Sequence, residues 1–156
     1  MEIKVVNLDK TQRILEAFPK ESEKAIRVAI KDGMARIKKY AFLHHRFTSR
    51  SGMLGKSISS EYDDATMTGT VFLDSAVAPY AKFVHDGTKP YTIVPKEKKA
   101  LRWVALSYDH FIFAKRVHHP GIKADPFLYE AAEHVMPSIK EELQEELVLI
   151  FRGENK

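Results

Sequence analysis

The chain has 156 residues, 44% of them hydrophobic and 29% charged, with a formal net charge of +4 and no cysteine. That composition is globular rather than disordered or fibrous, no apolar run approaches the roughly 20 residues that span a bilayer, and MEIKVVNLDK lacks the apolar core of a secretory leader. Without cysteine, disulfides and thiolate metal sites are excluded, which suits a cytoplasmic protein.

In chain order, a short strand is expected at Ile3 to Val6, and Asp9 is placed to cap a brief helix through Leu15 and Ala17. Pro19 then opens a longer helix, with Glu21 and Glu23 in its first turn at the positive dipole end. Ile26, Ile30, Gly33, Ile37, Tyr40 and His44 recur at three- and four-residue steps, while lysines and arginines fall on other faces. This spacing predicts an amphipathic helix of roughly 26 residues, on the order of 40 Å long. Residues 47–56, FTSRSGMLGK, break the pattern and read as a loop.

Alternation follows: Ile58, Ser60 and Tyr62, then Val71 and Leu73, around a polar turn at Asp63 to Thr66, predict an antiparallel hairpin. Pro79 opens one turn of helix through Tyr80, Phe83 and Val84, and Gly87 sits where a positive φ would end it. Short strands are expected at Tyr91 to Val94, Ala100 to Leu106 and Phe111 to His118, with a charged turn at Lys96 to Lys99. Asp125-Pro126 reads as a cap and first helical residue for a last helix. Its buried stripe is Leu128, Ala131, Val135, Ile139, Leu143 and Leu147, with Pro137 inside to kink or split it and Gly153 after its end. The fold class expected is α+β in a single domain, residues 1–156, with the long N-terminal helix and the C-terminal helix packed on one face of an antiparallel sheet of about five strands.

Charge is segregated. Residues 10–56 carry twelve Lys/Arg against four acids and residues 86–124 eight against three, whereas residues 125–156 carry eight acids against three bases. Such a chain has a basic surface for nucleic acid, or complementary ends for pairing with its own copies. Arg46, Arg50 and Lys56, with Phe47 beside them, are candidate phosphate contacts, as are Lys96, Lys98 and Lys99 in the second basic turn.

Enzymatic chemistry finds little footing. No His-Glu-x-x-His, P-loop, Gly-x-Ser-x-Gly or Gly-x-Gly-x-x-Gly is present. His44-His45, His85-Asp86 and His118-His119 are the candidate metal ligands, but adjacent residues on a strand face opposite ways. The expectation is a non-enzyme with no cofactor and no metal.

Three stretches stand in a suggestive order: RSGMLGKSI (residues 50–58), YAKFVHDGT (80–88) and ADPFLYEA (124–131). Together they resemble the neck or tail-completion proteins of long-tailed bacteriophages and prophages, which join head to tail. The likeness spans roughly residues 20–145. It departs at His85-Asp86-Gly87, where the family often has an acidic residue before an aromatic and Gly-Thr, and in a longer segment from Lys89 to Gly121.

The resemblance implies a virion assembly protein at the head–tail junction. Copies would form a ring beside head-completion, tail-terminator or tail-tube proteins, made in the host cytoplasm and carried in the virion neck, with non-specific contact to packaged DNA and none to membrane. Loop 47–56 and segment 89–121 are the contact regions expected. Tyr80, Phe83, Gly87, Thr88, Pro126 and Phe127 are expected to build a structural corner, with Tyr80, Phe83 and Val84 anchored on the sheet. Two other readings stay open: a stand-alone, non-specific nucleic-acid-binding module, and a metal-dependent hydrolase using His85, Asp86 and His118.

Overall fold

In a computed structural model, residues 2–4, 20–48, 51–104 and 110–152 are described. Strand β1 (Glu2–Lys4) precedes the long helix α1 (Lys20–Leu43), a one-turn helix α2 (Met53–Lys56), strands β2 (Ile58–Asp63) and β3 (Thr68–Leu73), and helix α3 (Ala81–Asp86). Strands β4 (Tyr91–Ile93), β5 (Leu101–Val104), β6 (Phe111–Ala114) and β7 (Val117–His119) lead to the last helix, α4 (Phe127–Arg152). The fold is therefore mixed, two long helices with small antiparallel sheets. The expected helix from Asp9 to Ala17, Pro19, Arg50, the turn at 107–109 and Gly153 lie outside the described residues.

The apolar stripe of α1 is the centre of the core. Ile26, Ile30, Met34, Ile37 and Ala41 are buried against Val71 and Leu73 of β3, Ile58 of β2, and Phe127, Leu128, Ala131, Val135 and Ile139 of α4. Each fully buried aliphatic or phenyl side chain contributes about 1.5–3 kcal/mol relative to exposure. The approach of α1 to β3 is close: a Cβ on Gly69 would lie 2.7 Å from both Ile30 Cγ2 and Met34 Sδ. The expected end of the stripe is corrected. His44 falls just past the helix, is exposed, and stacks on Tyr40 at 4.0 Å instead of entering the core.

The predicted hairpin forms, with Ile58 opposite Leu73, Ser60 opposite Val71 and Tyr62 opposite Gly69. Asp63 closes its turn by accepting from the Ala65 N–H at 2.9 Å and the Thr66 hydroxyl at 2.8 Å. These bonds, the Thr66 hydroxyl first, hold the Asp63 carboxyl below the usual carboxylate range.

The single sheet of about five strands is not what forms. Among the described residues the strands form three sheets: β1-β3-β2, the pair β4-β7, and the pair β5-β6. Strands of three or four residues separated by Pro95 and a charged turn pair among themselves and never reach β3. The expected long strand from Phe111 to His118 is interrupted after Ala114, and its two halves serve different partners. The layering differs as well. α1 covers β2 and β3, and α4 packs chiefly along α1. Pro137 does not split α4, which continues through it as one helix. Residues 53–56, expected as loop, make a helical turn.

Candidate functional site

Two of the motif stretches, 80–88 and 124–131, meet the end of α1 at one corner of the molecule, and a buried carboxylate ties them. Asp125 Oδ2 accepts the backbone N–H of Arg46 at 2.7 Å and of Phe47 at 2.8 Å, where the chain leaves α1. Its own backbone N–H donates to the last carbonyls of α3, Val84 at 3.1 Å and His85 at 3.2 Å. Arg46 Nε stands 3.3 Å from Asp125 Oδ1, an ion-pair contact, and Arg46 Nη2 donates to Glu130 Oε1 at 2.5 Å. The Glu130 carboxylate, with Asp125 behind it, raises the Arg46 pKa above the ordinary arginine value. Asp125 thus bridges to the end of α1 rather than capping its own helix as the Asp-Pro spacing suggests.

Beyond α3 the chain reverses. Gly87 has φ +74°, and a Cβ there would lie 2.8 Å from both Ala124 N and Ile122 O, so only glycine fits both the angle and the space. Thr88 then forms an isolated bridge to Ile122: its N–H donates at 2.8 Å, and its hydroxyl accepts the Ile122 N–H at 3.0 Å. Phe127 is fully buried beneath this turn, edge-on to Phe47 at 5.2 Å and to His85 at 5.3 Å. Pro126 is half-buried, and its carbonyl accepts the Glu130 N–H at 3.0 Å.

The expected anchors of α3 need correcting. Tyr80 and Phe83 are exposed and Val84 half-buried; Ala81 and His85 are the buried pair. Residues four apart share a helix face, so burying Ala81 and His85 turns Phe83 outward. His85 donates through Nδ1–H to Asp86 Oδ1 at 2.8 Å, with its ring edge-on to Tyr129 at 4.9 Å. A cavity of about 250 Å³ opens between the 47–54 loop and this corner, lined by Phe47, Ser51, Leu54, Tyr80 and Val84 among others.

The basic candidates are dispersed. Arg46 belongs to the corner, Lys56 is exposed at the end of α2, and Arg50 lies outside the described residues. Lys96 and Lys98 line an open cleft of about 650 Å³ with Arg102 and Phe113, and Lys99 is exposed in the same turn. Sequence reading missed Asp125 as a bridge, Glu130 as its companion, and the Arg102–Phe111 pair, whose guanidinium lies 4.1 Å over the ring. The acid-basic pairings across residues 46, 125 and 130 leave no periodic signal.

A second concavity of about 640 Å³ lies between α1 and α4, where Tyr40 is stacked by His44 at 4.0 Å and by His134 at 4.2 Å. His119 stacks on Tyr91 at 4.8 Å and accepts the Gly121 N–H through Nδ1 at 3.0 Å. Among the described residues no three His, Asp or Glu side chains gather in a metal-binding arrangement, and no helix is long and apolar enough to cross a membrane. No family model, curated protein or solved structure matches the chain.

Proposed function

We propose that this protein is a non-enzymatic virion assembly component of a long-tailed phage, a neck or tail-completion subunit whose copies form a ring at the head–tail junction. The observation that carries the reading is the junction itself. The stretches at 80–88 and 124–131, which carry the resemblance, are bonded through Asp125 to the chain leaving α1, and Ser51, Gly52 and Leu54 of the third stretch line a small cavity with Tyr80 and Val84. A corner made of backbone bonds, packed rings and a fixed glycine turn is suited to holding surfaces rigidly, not to moving protons or electrons. Ser51, Gly52 and Leu54 border the corner, and the strand pairs β4-β7 and β5-β6 lie outside the sheet that α1 covers. Loop 47–56 and segment 89–121 are the contacts with sister copies and with head-completion, tail-terminator or tail-tube neighbours. Assembly takes place in the host cytoplasm, and the product resides in the virion neck. Lys56, Lys96 and Lys99, all exposed, attract packaged DNA without reading its sequence.

Negative-stain imaging of the concentrated protein tests the reading. Closed rings of uniform diameter with a central opening are expected. Single particles at every concentration, with no ring appearing when neighbouring neck proteins from the same genome are added, would refute it.

The basic cleft beside Phe113 favours a second reading, a stand-alone nucleic-acid-binding module, because cations next to an aromatic ring track single strands. Under that reading the monomer alone retards DNA, with affinity collapsing as salt rises.

A further inference from the structure

The β5-β6 ribbon has more apolar surface than an isolated hairpin can hide. Partners across an antiparallel pair share a face, so Arg102, Val104, Phe111 and Phe113 stand on one side, and Leu101, Trp103, Ile112 and Ala114 on the other. On the first side Val104 is 55% exposed, Phe111 50% and Phe113 65%. The Arg102 guanidinium covers part of it, over the Phe111 ring. A lone two-stranded ribbon is marginal in water, and a contiguous apolar patch on it marks an interaction surface. Around the patch stand Lys96, Lys98 and Arg102, none with an ion-pair partner among the described residues.

The complement to that surface lies on α4. Glu133, Pro137, Glu141, Gln144 and Val148 follow three- and four-residue steps along the side opposite the buried Leu128, Ala131, Val135 and Ile139. Its acids Glu133 and Glu141 have no ion-pair partner among the described residues, and Val148 is 47% exposed. The ribbon patch is apolar with mainly basic flanks, Glu97 standing among the cations, and the α4 face is polar and acidic with Pro137 and Val148 as its apolar members. Within one chain β5 and β6 pair chiefly with each other and α4 packs chiefly along α1.

We propose that the β5-β6 ribbon of one copy docks on the outward face of α4 of the next copy. The Phe111–Phe113 face meets Val148, while Lys98 and Arg102 meet Glu133 and Glu141. Two different patches make this contact heterologous, so repetition yields a ring or an open filament. The inference deepens the neck reading and rests on it for closure into a ring.

The chain has no cysteine, so single substitutions give clean trapping. Phe113→Cys and Val148→Cys, both at exposed positions, are purified separately, mixed and gently oxidised, with Ser75→Cys replacing Val148→Cys as the control. The 113–148 cross-chain disulfide is expected to form about tenfold faster than the control pair, a difference equivalent to about 1.4 kcal/mol. Adding Arg102→Glu to the first partner is expected to remove the excess, and Glu141→Arg on the second to restore it. Closed rings without 113–148 trapping would overturn this contact and leave the neck reading standing. Trapping in open filaments would uphold the contact and count against the ring. No trapping, with duplex DNA retained by the native chain but not by Arg102→Glu, would assign the ribbon to nucleic acid and overturn the proposal.

Discussion

Asp125 joins parts of the chain that are 79 and 78 residues apart, through the amides of Arg46 and Phe47. Hydrogen bonds to a charged acceptor contribute about 1.5–3 kcal/mol each, and removing the carboxylate also strands two amides. Asp125→Ala is therefore expected to lower stability by about 3 kcal/mol in urea unfolding. Arg46→Ala should cost far less, because that guanidinium is largely solvent-exposed and its pairs are screened. An equal loss for both would mean that the ion pair, not the amide bridge, holds the corner. Gly87→Ala forces a left-handed angle on a side chain with backbone 2.8 Å away, and more than about 1 kcal/mol should be lost. A melting temperature unchanged in that variant would show that the turn relaxes. At this scale the sequence was half legible. Gly87 announced its angle because glycine before threonine at a helix end has one common use, whereas Asp125 before proline has the local signature of a cap and gives no hint of a partner near residue 46.

Between elements, Arg36 clamps α1 to α4. Its guanidinium bonds both oxygens of Glu142, at 2.6 and 2.8 Å, and its Nε meets Asp32 at 2.7 Å. The hydrogen bond from Arg36 holds the Glu142 carboxyl below the usual carboxylate range. A depressed carboxylate stabilises the fold above its unfolded pKa, about 4.3 for glutamate, and that contribution is lost as pH falls through the folded value. Glu142→Gln is thus expected to be less stable than the native chain near neutral pH, with the difference shrinking once pH falls below the unfolded glutamate value of about 4.3 and gone below the lowered folded value. A deficit that persists in acid would place the cause in packing rather than charge.

The two long helices and the β2-β3 hairpin were readable because their periods, 3.6 and 2, are written in local residues. The partition into three sheets was not, since strands such as Tyr91–Ile93 carry too few residues to specify which edge they join. The phase of α3 was misread for a related reason. Phe83 is the more apolar residue, yet Ala81 and His85 fit the space under the corner.

For the whole molecule, the uneven distribution of charge and apolar surface separates assembly from simple solubility. Basic residues concentrate before Asp125 and acids after it, and the most exposed phenylalanines of the ribbon sit among the former. Replacing both Phe111 and Phe113 by serine removes the patch from a face that the fold does not bury. Stability by denaturant titration should stay within about 0.5 kcal/mol, as for other surface substitutions, while self-association is lost. A large drop in stability would show that the ribbon face is covered within the chain.

Assembly of copies of this protein through their own surfaces is the central claim to test. Mass measured by light scattering after size exclusion, across protein and salt concentrations and with and without duplex DNA, asks this directly. The neck reading predicts one discrete multiple of the subunit mass that grows in with protein concentration, does not need DNA, and weakens as salt screens the complementary charges. A monomer at every concentration that binds DNA tightly, with affinity collapsing as salt rises, would contradict it.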